Sequence, residues 1–169
     1  MPTLPDPGFA GDDGAAPPDL VAALAAYQAD PAARHLDTLE VLQTARLLVP
    51  VVAVLGEVEV DDQGLTHDKT SDMATVLMRG RDGRTALLAF SGTTSMATWD
   101  PQARPVPVSA VDAARSARQD GADALLLDLA GPVMFVVQGD DLVALAEGWT
   151  LARIGDGFSG GRAWVRPDR

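Results

Sequence analysis

The sequence predicts an α+β domain with a mixed, mostly antiparallel sheet of about five to six strands, helices packed on the sheet, and an N-terminal helical hairpin. Segments that begin with a capping residue and have apolar residues at helical spacing alternate with short apolar strands. Asp82-Gly83 between two strands is typical of a hairpin turn. Ala124–Leu129 is apolar on both faces, as a central buried strand should be. Hairpins and crossover helices in one chain indicate the α+β class.

Residues 1–45 are predicted to form a tail and an acidic helical hairpin. Residues 1–18 are mainly Pro, Gly, Ala and Asp, which bury too little apolar surface to offset chain entropy, so we expect a disordered tail. The hairpin spans residues 19–45: Asp19 is a plausible N-cap of the first helix, which ends near Ala29, and Asp30 with Pro31 begins the second.

Residues 46–154 carry the predicted sheet. Arg46–Leu55 indicates a strand in which Pro50 favours an edge or a bulge, because proline lacks an N–H group. The strands and turns expected after it are, in order, an alternating strand with a turn within 57–65, a strand at 73–78, the hairpin turn, and a return strand at 84–90. Ser91–Ser95 then turns the chain into a short helix that ends near Trp99.

The second half of this segment alternates helices and strands. Val106–Val108 is a short strand between prolines, which marks a possible sheet edge. Ser109 caps a helix that ends at Gly121. Beyond the apolar strand already described, we expect a strand at 133–138, a helix capped by Asp140 or Asp141, a strand at 149–154, and a flexible C-terminal tail over 155–169.

Composition narrows the classes of partner. The chain has 169 residues and a net charge of −11, so phosphate backbones and anionic membrane surfaces repel it, and we expect neither as a partner. It has no cysteine, which excludes disulfides and thiolate sites. Its N-terminus lacks the basic and apolar regions of a signal peptide, so we expect a cytoplasmic protein. One lysine against twelve arginines, with no asparagine, suggests a GC-rich genome of the actinobacterial type.

Three patterns resemble catalytic or cofactor sites but lack their context. Gly155–Gly160 matches G-x-G-x-x-G, yet no helix is expected after it to hold a pyrophosphate. His67, Asp68 and Asp72 lack the second histidine that a transition-metal site usually needs. A Ser-His-Asp set drawn through Ser91 and His67 lacks a nucleophile elbow. We therefore predict no enzyme activity, no metal and no cofactor.

The hydroxyl-rich turn Ser91-Gly92-Thr93-Thr94-Ser95 is the main candidate binding site. Its position before a helix suits an anion or another small ligand. Capping of that helix by Ser or Thr is the favoured explanation, because no Arg or Lys is adjacent to help bind an anion. Trp99 and Arg104 are the residues we assign to a possible interaction surface.

An ordered series of motifs resembles the SseB N-terminal domain family, in particular its single-domain members from high-GC Gram-positive bacteria. The series lies between Lys69 and Ala146. It includes Ser71-Asp72-Met73-Ala74, Asp82-Gly83-Arg84, Trp99-Asp100, the Ala103–Val108 segment, the strand ending at Asp128, and Ala130-Gly131-Pro132. Family members commonly have Thr-Ser after the Phe, where this chain has Ser91-Gly92.

The resemblance implies an α+β domain that works by contacts and brings no established catalytic residues. The sequence therefore predicts a non-enzymatic cytosolic domain that makes protein–protein contacts with an unknown partner, or forms a homodimer through a sheet edge or an apolar face. The alternative is a small-ligand or anion-binding domain that uses the Ser91–Ser95 turn.

Overall fold

A computed structural model describes residues 9–54, 59–60, 66–67, 72–155 and 161–168. Its helices are α1 (Pro18–Ala29), α2 (Pro31–Leu42), α3 (Thr93–Trp99), α4 (Ala110–Gln119) and α5 (Gly139–Ala146). Its strands are β1 (Arg46–Val54), β2 (Glu59–Val60), β3 (Thr66–His67), β4 (Asp72–Thr75), β5 (Leu77–Arg79), β6 (Thr85–Ala89), β7 (Arg104–Ser109), β8 (Ala124–Leu127), β9 (Phe135–Gln138), β10 (Thr150–Ile154) and β11 (Gly161–Val165).

The α+β class and the N-terminal helical hairpin are confirmed, but the strands form several small sheets instead of one sheet of five to six. The two larger sheets have the orders β4-β1-β7 and β5-β6-β8-β9, and β2-β3 and β10-β11 form separate pairs. Paired backbone hydrogen bonds of 2.8 and 2.7 Å between Leu48 and Phe90 connect the two larger sheets. The β6–β8 pair is parallel and the other pairs among the described strands are antiparallel.

Pro50 does not lie on an edge strand, because β1 is the middle strand of its sheet. Pro50 pairs with Pro105, and neither residue can donate a hydrogen bond, so this pair is a non-hydrogen-bonded one. The nitrogen of Pro50 therefore points to the side of β1 that faces away from β7. On that side, Pro50 lies between the contact of β1 with Phe90 and its pairing with Thr75. A missing N–H group is tolerated at that junction.

Local sequence signals explain the starts of α2 and α4. The Asp19 cap expected for α1 is wrong, because its N-cap is Pro17, without a side-chain hydrogen bond. The Asp30 side chain accepts a hydrogen bond from the Ala33 N–H group at 3.2 Å and caps α2. The Ser109 hydroxyl likewise accepts from Asp112 at 3.0 Å and caps α4, as predicted. The expected cap of α5 is wrong: its N-cap is Gln138, without a side-chain hydrogen bond.

The main core lies between the helices and one face of the four-stranded sheet. It is built from buried apolar side chains of α1, α2, α4, α5, β1, β6, β8 and β9. A second, smaller cluster on the opposite face contains Leu48, Leu88, Phe90, Met96 and Leu126. Each side of the sheet thus has its own apolar cluster, and the larger one belongs to the helical side.

Two described segments of the predicted tails make specific contacts with the rest of the chain. Residues 12–16, which we call the strap, run beside the start of α3. Residues 161–165 form β11, which pairs with β10 into a C-terminal hairpin. Composition suggests neither arrangement, because each depends on backbone groups and ion pairs supplied by distant parts of the chain.

Candidate functional site

The parallel pair β6 and β8 brings the Ser91–Ser95 turn next to Asp128. Ala89 lies opposite Leu127 in this pair, so the residues that follow each strand leave the sheet at the same edge. The carboxyl ends of parallel strands are where ligands bind in open α/β sheets. The topology therefore places the predicted turn at a position suited to binding.

Asp128 is the center of a buried hydrogen-bond network. Its Oδ1 accepts from the Ser91 N–H group and from the Ser95 hydroxyl, both at 2.8 Å. Its Oδ2 accepts from the Ser91 hydroxyl at 2.7 Å. Asp128 is 1% exposed, and Ser91 and Ser95 are also buried. The carboxylate therefore has three donors in place of the water it lost on burial.

Asp128 also ends its strand. Its φ angle is +54°, and it is the one described non-glycine residue with positive φ. Asp and Asn occupy this left-handed region more readily than most residues, because their short polar side chains bond locally. The strand predicted to reach Leu129 consequently stops at Leu127, and the carboxylate turns to the serines.

The prediction that a Ser or Thr side chain caps α3 is wrong. The N-cap is Gly92, and it makes no side-chain cap hydrogen bond. The Ser95 hydroxyl instead interacts with the Gly92 carbonyl oxygen at 3.0 Å and with Asp128. The hydroxyls of Ser91 and Ser95 thus donate to Asp128, a carboxylate that follows another strand, and do not cap α3.

A cavity of about 450 Å³ lies beside this network, and we call it the α1–α3 cavity. One wall consists of α1 residues, among them Val21, Leu24 and Ala25, and Thr94 and Thr98 of α3 form another. Gly92, the segment Ala130–Val133, the strap residues Ala15 and Ala16, and the Ser91, Ser95 and Asp128 network complete the lining that the structure describes. Among these described residues, Asp128 is the only charged one.

The charge of Asp128 decides which ligands suit the cavity. Its carboxylate already holds the donors of Ser91 and Ser95 that an anion would need, and its negative charge repels a second anion at short range. The geometry therefore favors a neutral or cationic ligand over an anion at the Ser91–Ser95 turn.

The strap is fitted to Gly92. A Cβ atom on Gly92 would lie 2.6 Å from the Ala16 nitrogen and 3.1 Å from its Cα atom, so only glycine allows this approach. The Thr93 N–H group donates to the Gly14 carbonyl at 2.8 Å. This contact accounts physically for glycine at position 92.

Arg46 fastens the strap to the turn. Its Nε atom lies 2.8 Å from Asp12 Oδ2, and its Nη2 atom donates to the Ala15 carbonyl. Its Nη1 atom donates to the Ser91 carbonyl at 3.0 Å. One guanidinium thus joins the strap, β1 and the candidate site.

Trp99 and Arg104 lie apart from the described cavity lining. The Trp99 ring is half-buried with its centroid 5.5 Å from that of Phe90, in the smaller apolar cluster. Arg104 is exposed at the start of β7. The structure therefore separates the predicted interaction residues from the predicted binding turn.

The patterns that resemble cofactor sites lie largely outside the described residues. Asp68 and residues 156–160 are not described, nor are the side chains of His67 and Asp72. The segment after Gly160 is the strand β11, whereas a dinucleotide fingerprint needs a helix there. In the ranges described, no group of three or more His, Cys, Asp or Glu side chains is placed to hold a metal ion.

Asp128 is the site residue that sequence reasoning missed, although a signal for it exists. The chain Ala124–Leu127 is apolar throughout and is followed at once by a carboxylate. A parallel pairing with the strand before Ser91 would have placed that carboxylate beside the serines. The strap had no comparable signal, because it is held by backbone atoms and by the Asp12–Arg46 ion pair, whose partners lie 34 residues apart.

A comparison with protein-family models matches residues 20–144 to the SseB protein N-terminal domain. The match covers most of the chain, and the protein belongs to this family. Comparisons with curated protein sequences and with solved structures gave no match. The strap and the C-terminal hairpin both lie outside the matched residues. None of the described helices has the length and hydropathy of a membrane span.

Proposed function

We propose that this member of the SseB family is a non-enzymatic cytosolic domain that acts by binding, and that the α1–α3 cavity takes a small ligand. The observation that carries the proposal is the cavity itself. It is concave, largely apolar, about 450 Å³ in volume, and has a few converging polar groups. These are the usual properties of small-molecule sites.

Binding is favored over catalysis by the state of the hydroxyl groups. Ser91 and Ser95 are buried, and both donate to Asp128. A serine nucleophile needs a general base whose orientation is fixed by a third group, and no histidine or lysine belongs to the described lining of the cavity. The network here stabilizes a turn and forms a polar floor for the cavity.

A cavity-filling variant tests the proposal. Ala25 is exposed on α1 and lines the cavity, so Ala25→Trp should fill it without disturbing the core. Ala22→Trp, one turn earlier and outside the described lining, is the matched control. We expect fragments that stabilize the wild type in a thermal-shift screen to stabilize Ala22→Trp equally and Ala25→Trp hardly at all. A screen without hits, or hits that Ala25→Trp keeps, would contradict the proposal.

A second candidate function is protein–protein contact through the sheet face opposite the main core. Cross-strand neighbors form two apolar rows on this face, one through Val76, Leu88, Leu126 and Val136, the other through Met78, Ala86 and Ala124. The outer members Val76, Met78, Ala86 and Val136 are only half-buried. A partly covered apolar face of this kind supports a protein partner or a second copy of the chain.

The edge of β7 is a poor route to a homodimer. Hydrogen-bonded and non-hydrogen-bonded pairs alternate along an antiparallel ladder, so Leu48–Pro107 is a non-hydrogen-bonded pair like Pro50–Pro105. The N atoms of Pro105 and Pro107 therefore point to the open side of β7. That edge therefore lacks two of the N–H donors that strand pairing needs. The sheet face, not this edge, is the surface we propose for self-association.

Light scattering after size exclusion tests the second candidate. Met78→Glu places a charge on the proposed face, and Leu77→Glu places the same charge at the exposed neighboring position on the other face of β5. Dimer formation should be lost in Met78→Glu and kept in Leu77→Glu. A wild-type monomer at high concentration would exclude the homodimer. If Met78→Glu captured the same proteins as the wild type in a pull-down, this face would be excluded as their binding surface.

A further inference from the structure

We infer that the α1–α3 cavity selects a ligand with an apolar body and a cationic hydrogen-bond-donating head, such as a protonated amine, and that Asp128 is the anchor for that head. The inference rests on the proposed small-ligand function and specifies its ligand class. It follows from the charge, the unused acceptor capacity and the apolar walls of the cavity.

Asp128 has acceptor capacity left. A carboxylate offers about four lone-pair positions, two on each oxygen. Oδ1 accepts two hydrogen bonds, from the Ser91 N–H group and the Ser95 hydroxyl, whereas Oδ2 accepts one, from the Ser91 hydroxyl. One position on Oδ2 therefore remains for a donor supplied from outside this network.

The network also fixes the carboxylate in place. Three hydrogen bonds from Ser91 and Ser95 orient both oxygens before any ligand arrives. A group that is already oriented loses little entropy on binding, and a charged acceptor makes stronger hydrogen bonds than a neutral one. Asp128 thus has the charge and the rigidity of an anchor for a cation.

The rest of the described lining suits an apolar body. Val21, Leu24 and Ala25 on one side and Pro132 and Val133 on the other present carbon atoms to the cavity. Thr94 and Thr98 add hydroxyls at the wall formed by α3, and Gln28 adds one amide group at the wall formed by α1. A compact hydrocarbon group bearing one amine matches this division between apolar walls and a single charged floor.

Three probes of the same size and different charge test the inference. Benzylamine, benzyl alcohol and benzoate share one ring and carry a positive, a neutral and a negative head. We expect benzylamine to bind about tenfold tighter than benzyl alcohol, and benzoate to bind more weakly than either, in titrations followed by protein NMR chemical shifts. The shifts should map to α1, α3 and the 130–133 segment.

Asp128→Asn distinguishes the proposed role of the Asp128 charge in binding from the role of this side chain in the fold. Asparagine tolerates positive φ, and its amide oxygen still accepts hydrogen bonds, so the turn should persist while the charge is lost. We expect benzylamine affinity to fall about tenfold, to the level of benzyl alcohol, with benzyl alcohol unchanged. Ser95→Ala, which keeps the charge but removes one orienting bond, should keep the order of the three probes.

The outcomes distinguish the two proposals. If none of the three probes binds, or if Ala25→Trp leaves their binding unchanged, both the cavity function and the ligand class are overturned. If binding is lost in Ala25→Trp but benzoate binds as tightly as benzylamine, the cavity function stands and the ligand class is overturned. If Asp128→Asn keeps the preference for benzylamine, Asp128 is not the anchor and the inference is again overturned.

Discussion

Asp128 and Arg162 each join distant parts of the chain, but their surroundings differ. Asp128 is 1% exposed and bonds to neutral donors of the turn after β6. The Arg162 side chain is 15% exposed and pairs with Asp37 and Glu40 of α2, whose side chains are about one-third exposed. The first contact lies within the family domain, and the second attaches the C-terminal hairpin to it.

The difference indicates how much each contact contributes to stability. A buried polar group that loses its partner keeps its full desolvation penalty, whereas water replaces a partly exposed ion pair at a smaller cost. The Asp128 network should therefore be needed for the fold. The Arg162 contacts should mainly decide how firmly the hairpin is held.

Asp128→Ala should produce the largest effect. It leaves the Ser91 N–H group and the Ser91 hydroxyl without their buried acceptor, whereas the Ser95 hydroxyl keeps the Gly92 carbonyl as an acceptor. We expect the free energy of unfolding to fall by about 3 kcal/mol or more, measured by urea denaturation. Asp128→Asn keeps one acceptor oxygen and should cost only about 1 kcal/mol. Equal losses for the two variants would contradict this account.

Gly92→Ala should have an intermediate effect confined to the strap. Its φ of −159° suits any residue, so the cost comes only from the clash of Cβ with the backbone of Ala16. We expect displacement of the strap, about 1–2 kcal/mol of destabilization, and faster hydrogen exchange at Thr93, whose N–H group bonds to Gly14.

Gly161→Ala is the control, because a Cβ there would meet no atom of the described residues within 4 Å. It should leave the exchange of Thr93 unchanged. Unchanged exchange in Gly92→Ala as well would show that the strap accommodates a methyl group.

The elements that the sequence predicts correctly are those whose signals are local. Asp30 and Ser109 cap the helices they were predicted to cap, and the Asp82-Gly83 turn joins β5 to β6. The α3 cap failed because the decisive acceptor, Asp128, is 37 residues away from Ser91. Hydrogen bonds over such separations depend on strand pairing, which one sequence does not reveal.

The chain ends show the same limit. The C-terminal residues look flexible by composition, yet Trp164 donates to Asp141 at 2.8 Å, and Gln43 bonds to both backbone groups of Leu151. Each partner lies on an element far away in sequence. Composition predicts whether a segment can form its own core, but it does not predict whether that segment packs onto a core formed by other parts of the chain.

Arg162→Gln should have a smaller effect than the two substitutions above. It removes the 2.7 Å contact with Glu40 and the ion pair with Asp37. We expect a loss of about 0.5–1 kcal/mol that shrinks in 1 M salt, with faster amide exchange in β11. Arg153→Gln is the control, since Arg153 is 73% exposed and lies 3.9 Å from Glu40. A loss from Arg162→Gln that is independent of salt would argue that its role is packing.

The smallest expected effect is a pH dependence of the same attachment. The pKa of Asp37 is lowered from 3.8, most of all by the hydrogen bond from Arg34; partial burial opposes this, and the charge of Arg162 adds to it. Because the folded pKa lies below the unfolded one, the stabilization is fully present above the unfolded value and is lost as pH falls through the folded value. The pKa of Arg162 is raised: its burial, the largest single influence, lowers it, but the contacts with Glu40 and Asp37 outweigh that.

An NMR titration of the Asp37 carboxyl carbon measures this dependence directly. We expect the Asp37 pKa to rise toward its ordinary value in Arg34→Gln and, by a smaller amount, in Arg162→Gln, because the hydrogen bond from Arg34 is the largest cause. Arg153→Gln should leave it unchanged, since Arg153 pairs with Glu40 instead. A larger rise in Arg162→Gln than in Arg34→Gln would mean that the hairpin, and not the local helix pair, controls this carboxylate. Acid would then release the hairpin more strongly than an exposed ion pair allows.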